Sequence, residues 1–106
     1  MSYTVPAVPT VLVAGDTAAA SIGLLITNPT PAGDEPTVTS NDVYVRVAAG
    51  GRPDIGRTVA DDGIRIATGV TPDGTYTDRA VAGGTSYEYR IRAYGDNGTS
   101  TYGAWT

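Results

Sequence analysis

The sequence predicts an all-β domain, a two-sheet antiparallel β-sandwich of about seven strands. Three observations carry this reading. Val, Ile, Thr and Tyr make up 40 of the 106 residues, a composition suited to pleated, half-buried surfaces. Apolar and polar residues alternate with period two in short runs, separated by Gly, Pro and Asp turns. Helix signals are nearly absent, and the richest candidate, residues 17–20, has no apolar spacing of three and four beyond it. At this length the chain holds one core, so residues 1–106 read as a single domain.

The strands follow in order. The first runs from Val8 to Ala14, beside Pro6 and Pro9, whose missing N–H suits an edge. The second, Ala18 to Thr27, places Ala20, Ile22, Leu24 and Ile26 on one face. In the third, Asp42 to Ala48, Val43, Val45 and Val47 point inward, and Tyr44 and Arg46 outward. A fourth, Gly63 to Ala67, turns Ile64 and Ile66 inward and Arg65 outward. The fifth, Thr75 to Val81, follows a Pro72-Asp73-Gly74 turn. Ser86 to Tyr94 is the clearest, with Tyr87, Tyr89, Ile91 and Ala93 on one face and Glu88, Arg90, Arg92 and Tyr94 on the other. The Asp96-Asn97-Gly98 turn leads into a last strand, Ser100 to Trp105. With no Phe and one Trp, the expected bulky core elements are Tyr87, Tyr89 and Trp105.

The run Gly84-Thr85-Ser86-Tyr87-Glu88-Tyr89-Arg90-Ile91-Arg92-Ala93-Tyr94, followed by Asn97-Gly98-Thr99-Ser100, resembles the F–G hairpin of a fibronectin type III domain. Leu24 to Pro29 is similar to that family's strand B and the proline after it, and Val8 to Val13 to its opening strand. The resemblance implies a fibronectin type III-like sandwich. It also implies that Tyr87 is the corner tyrosine, its hydroxyl tying the E–F turn to the backbone, with Val81 at the apolar position six residues earlier. The chain departs from the family at Ile26, where a Trp is usual, at Gly83, where a proline is common, and in its long connection from Asn28 to Asn41.

Composition excludes much chemistry. The absence of Cys removes disulfides and thiolate catalysis. The absence of His removes the commonest general base and metal ligand, and the absence of Lys removes Schiff bases. A net charge of −4 argues against nucleic acid, which is held by cations neutralising phosphates. No apolar run is long enough to insert in a membrane as a helix. Residues 1–6 have neither the basic nor the apolar region of a signal peptide.

Individual motifs resolve toward structure. Residues 51–58 have the spacing of a phosphate loop with Arg for Lys, but a strand follows where the loop needs a helix, so a flexible connection is expected. Asp61-Asp62 and Asp34-Glu35 lack the alternating ligand spacing of a calcium loop and read as solvated turns. Asn97-Gly98-Thr99 matches a glycosylation acceptor, yet Asn-Gly is first a tight hairpin turn.

Two surfaces stand out. Arg46, Arg65, Arg90 and Arg92, flanked by Tyr44 and Tyr94, are expected on the solvent face of one sheet, a partner-binding face rich in interface-forming residue types. Cross-strand pairing with Glu88 explains the same residues structurally. The second surface is the loop end carrying Asp34, Glu35, Asp96 and Asn97. The chain therefore reads as a non-enzymatic structural or binding module with no catalytic residue, metal or cofactor. An extracellular-type module without an export signal is expected in particles assembled inside a cell, as a phage virion component docking on a capsid or tail protein. In that setting the first and last strands, Val8 to Ala14 and Ser100 to Trp105, are expected as edges that pair with the shell, with weak carbohydrate contact as a further expectation. The alternative is a spacer or adhesion module of a longer secreted bacterial enzyme or surface protein.

Overall fold

A computed structural model describes residues 5–17, 21–48, 57, 63–81 and 85–106. Seven strands form in chain order: β1 (Thr10–Thr17), β2 (Ser21–Thr27), β3 (Val38–Val47), β4 (Ile64–Val70), β5 (Thr75–Asp78), β6 (Tyr87–Gly95) and β7 (Ser100–Tyr102). They make two antiparallel sheets, one ordered β1-β2-β5 and the other β4-β3-β6-β7. Among the described residues there is no helix.

Alternation drives the packing. Val11, Leu24 and Ile26 from the three-stranded sheet meet Val43, Val45, Tyr89 and Ile91 from the other. Each such side chain contributes roughly 1.5–3 kcal/mol of transfer free energy before entropy is subtracted. Ile22, Ile64, Ile66, Tyr76 and Tyr87 pack half-buried around this cluster. The inward residues expected on β2, β3, β4 and β6 are thus the inward residues of those strands, and Ala20 lies outside the described residues.

The ends of the strands differ from expectation for identifiable reasons. β1 starts after Pro9, which has no N–H to donate, and runs past Ala14 through an irregularity between Val13 and Gly15. β3 begins four residues early, because Val38 to Asn41 pair with the end of β6. β5 stops at Asp78 rather than Val81. There the inward side chain is a carboxylate with polar partners, described below.

Trp105 is a correction. It was expected in the core, and it lies half-buried on the outer face of the four-stranded sheet, its ring 4.2 Å from the Arg46 guanidinium. After β7 the chain keeps bonding to β6, from Gly103 N–H to the Ile91 carbonyl and from Thr106 N–H to the Tyr89 carbonyl. Three residue steps along the tail match two along β6. One extra residue flips the alternation, so a side chain due inward points outward.

Candidate functional site

The outer face of the four-stranded sheet gathers the arginines. Register places Tyr44 opposite both Arg65 and Arg90, Arg46 opposite Glu88, and Arg92 opposite both Asp42 and Tyr102. Their neighbours Val43, Val45, Tyr89 and Ile91 are buried, so the pleat leaves these side chains outside. Arg46, Arg65, Arg90, Arg92, Tyr44 and Tyr94 therefore share one face.

Cations and rings interleave across it. The Arg90 guanidinium lies 4.2 Å from the Tyr102 ring centre and 4.7 Å from that of Trp105. Arg92 sits 4.8 Å from Tyr102 and 5.0 Å from Tyr94. Tyr44 meets Tyr102 edge to face at 5.6 Å between ring centres. The result is a continuous ladder, Arg46–Trp105–Arg90–Tyr102–Arg92–Tyr94. Such contacts contribute about 0.5–1 kcal/mol each when exposed and more when desolvated.

Two carboxylates neutralise part of this charge. Glu88 pairs with Arg46 at 2.7 Å, and Asp42 lies 3.7 Å from Arg65 while accepting a hydrogen bond from the Tyr94 hydroxyl at 3.1 Å. Arg92 donates from Nε to Ser100 Oγ at 2.9 Å, and Arg90 Nε is buried with no acceptor. Among the described residues, neither Arg90 nor Arg92 has a carboxylate partner. Four guanidinium groups against two carboxylates make this face positive on a chain of net charge −4. Hydrogen bonding with Tyr44 holds Arg92 above its ordinary pKa. Burial, then the Asp42 contact, pushes Tyr94 up, and Tyr102 is raised by its hydrogen bond with Tyr44 and by burial. Arg92 therefore stays charged, and the Tyr94 and Tyr102 phenols stay neutral.

Gly63 holds one border of the face. Its φ is +74°, and a Cβ there would stand 2.5 Å from Trp105 Cη2 and 2.7 Å from the Val45 carbonyl oxygen. Gly63→Ala is therefore expected to cost about 1–3 kcal/mol through overpacking and left-handed strain, and to shift Trp105 fluorescence. A urea midpoint equal to that of the parent would show that the ring moves aside freely.

The loop end is separate. Asp34 and Asp96 are exposed there with Asn97, and the Asp96 N–H bonds the Thr37 carbonyl at 2.9 Å, so the long connection and the hairpin turn meet. Glu35 turns back on its own loop, accepting from the Ala32 N–H at 2.8 Å. Asp73 joins this acidic pole, and an open cavity of about 230 Å³ lies between Pro31, Val38 and Pro72.

Sequence reasoning missed two buried polar clusters. At the loop end, Asn28 and Asn41 exchange amide hydrogen bonds at 2.8 and 2.9 Å between the two sheets. Asn28 also bonds Asp73 twice, its N–H to Oδ1 at 2.7 Å and its Oδ1 from the Asp73 N–H at 2.9 Å. Toward the opposite end, Asp78 receives a fork from Arg57 at 2.7 and 3.0 Å, the Tyr89 hydroxyl at 2.6 Å and the Ala80 N–H at 3.1 Å. Burial raises the Asp78 pKa, but the hydrogen bonds from Arg57, Tyr89 and Ala80 with the Arg57 charge outweigh it and hold it low. The Asp78 hydrogen bonds hold Arg57 high, and burial followed by the Asp78 contact holds Tyr89 high.

These contacts correct one expectation and bear on another. Arg57, read as part of a flexible connection, is 7% exposed and committed to Asp78, so it is not available to a phosphate. The rest of residues 51–58, and Asp61-Asp62, lie outside the described residues. Tyr87 is half-buried with Arg57 over its ring at 5.2 Å. Residues 82–84 of the E–F turn, to which its hydroxyl was assigned, lie outside the described residues. The Tyr89 hydroxyl crosses between the sheets to Asp78.

No protein-family model matches the chain. No curated protein matches it in sequence. Among solved structures, it is similar to the fourth FNIII domain of a human protein, at 19% identity and a TM-score of 0.70 over 95% of this chain and 75% of that one. It is also similar to part of pectate lyase PelI from Erwinia chrysanthemi, solved with tetragalacturonic acid. That match has 19% identity and a TM-score of 0.63, and covers 94% of this chain but 28% of the lyase. Strand order, sheet pairing and the likeness to the FNIII domain agree that the fold is a fibronectin type III-like β-sandwich.

Proposed function

We propose that the chain is a non-catalytic docking module, a structural component of a virion, whose arginine–aromatic face grips an acidic patch on a capsid or tail protein. The observation that supports this is the stacking of Arg90 and Arg92 on Tyr102, Trp105 and Tyr94. Stacked guanidinium groups are immobilised before a partner arrives and still offer N–H groups at their edges, so a carboxylate is bound at a smaller entropic cost. The same stacking covers ring faces that a sugar would need, which favours protein carboxylates over glycan. The positions of β1 and β7 at sheet edges support a second mode, in which a strand of the shell is added there.

Charge reversal tests this reading. Arg65→Glu with Arg92→Glu changes two cations while leaving the centre of the stack, Arg90, in place. Binding to purified particles is expected to fall by about 100-fold or more, because like charges across an interface cost several kcal/mol. Circular dichroism should stay unchanged. Binding within about twofold of the parent, a difference of well under 1 kcal/mol, would overturn the placement of the dock.

The partial match to the pectate lyase favours a second reading, a spacer or adhesion module within a longer secreted protein. Intact mass in the native source separates the two. A species of 10.8 kDa in particles supports the first, and a much larger polypeptide containing this segment supports the second.

A further inference from the structure

The turn between β6 and β7 carries chemistry that docking does not use. Asn97 is exposed and is followed by Gly98 at φ +85°, with nothing within 4 Å of where a Cβ would stand. Asn97 Oδ1 accepts hydrogen bonds from the Thr99 N–H at 3.1 Å and the Thr99 hydroxyl at 2.6 Å. The first of these closes a ring that contains the Gly98 nitrogen, so the side-chain amide is folded back toward the backbone nitrogen that would attack it. Both donors draw electron density from the amide carbonyl, as an oxyanion hole does. Gly98 N–H is held by a 3.2 Å bond to the Gly95 carbonyl, at the long limit for such a bond.

We propose that Asn97 is a self-modification site at which the Gly98 backbone nitrogen cyclises onto the Asn97 side chain. The nitrogen loses its proton to solvent base and attacks Asn97 Cγ. A new N–Cγ bond forms, the Cγ–Nδ2 bond breaks, and Nδ2 takes up a proton and leaves as ammonia. Water then opens the resulting succinimide at either carbonyl, giving aspartate or isoaspartate at position 97. Nothing is oxidised or reduced, and water is the one co-reactant. The product adds a negative charge beside Asp96, on the acidic pole of the molecule. In the isoaspartyl form the main chain gains one carbon inside a turn closed by the 2.8 Å bond from Gly95 N–H to the Thr99 carbonyl.

The chain supplies its own controls. Its side-chain amides are Asn28, Asn41 and Asn97, with no Gln. Asn28 precedes Pro29, which has no N–H to attack, and Asn41 is fully buried with both amide atoms bonded to Asn28. The test is incubation of the full folded chain in mildly alkaline buffer, followed by intact mass, ammonia assay and peptide mapping. The expected result is release of one ammonia per chain, the mass change of an amide becoming an acid at position 97, and methylation by an isoaspartyl methyltransferase. Asn97→Ala should show none of these. An unchanged folded chain, alongside a urea-unfolded chain that reacts, would overturn the proposal, as would modification mapping to Asn28 or Asn41.

Discussion

Replacing Asp78 with alanine is expected to destabilise the domain by about 3–5 kcal/mol, the cost of breaking a buried ion pair from one side. The reason is what remains. The Arg57 guanidinium, 7% exposed, loses its counter-charge, and the Tyr89 hydroxyl and the Ala80 N–H lose their acceptor. A domain of this size has about 5–15 kcal/mol in total, so the urea midpoint should fall steeply. Tyr89→Phe removes a single hydrogen bond to a charged group and should cost about 1.5–3 kcal/mol. Arg57→Met with Asp78→Leu should recover much of the alanine loss, since neither charge is then stranded. A loss under about 1 kcal/mol for Asp78→Ala would mean that water replaces the carboxylate.

The same group sets an acid limit. Asp78 titrates below its ordinary value of 3.8 in the folded state. Between the two values the unfolded chain binds a proton that the folded chain does not. The stabilisation is therefore fully present above the unfolded pKa and is lost as pH falls through the folded one. Urea midpoints should drop below about pH 4 in the parent, and by less in Asp78→Asn.

Asn28→Ala is the second large effect, about 2–4 kcal/mol. It leaves the amide oxygen and nitrogen of fully buried Asn41 without their partner, each at about 1–3 kcal/mol, and removes the acceptor of the part-buried Asp73 N–H. The double variant Asn28→Ala with Asn41→Ala should cost less than the sum of its single changes, because neither amide is left facing an absent partner. Strict additivity in a denaturant cycle would show that the two amides act independently.

Much of the fold was legible because period-two alternation is a local signal. Val43, Val45 and Val47, then Tyr89, Ile91 and Ala93, point inward as their spacing requires. The parity of Arg46, Arg90 and Arg92 followed from the same strands, and Arg65 from its neighbours Ile64 and Ile66. Tyr102 was within reach of this logic, since it shares its parity with Ser100 on a strand paired to β6. Trp105 was not, because one extra residue after Gly103 reverses the alternation and nothing in the local pattern announces it.

By itself, the sequence determined the fold class, the inward set and the placement of four arginines on one face, since each depends on spacing within a strand. Only tertiary structure decided which polar groups meet in the interior. Asn28 reaches Asn41 across 13 positions, Arg57 reaches Asp78 across 21, and Tyr89 reaches the same carboxylate from the other sheet. An Asn or an Arg in a loop looks the same in sequence whether solvated or buried. Its partner is chosen by the packing of two sheets, because a buried polar group is tolerated only where another stands within hydrogen-bond reach.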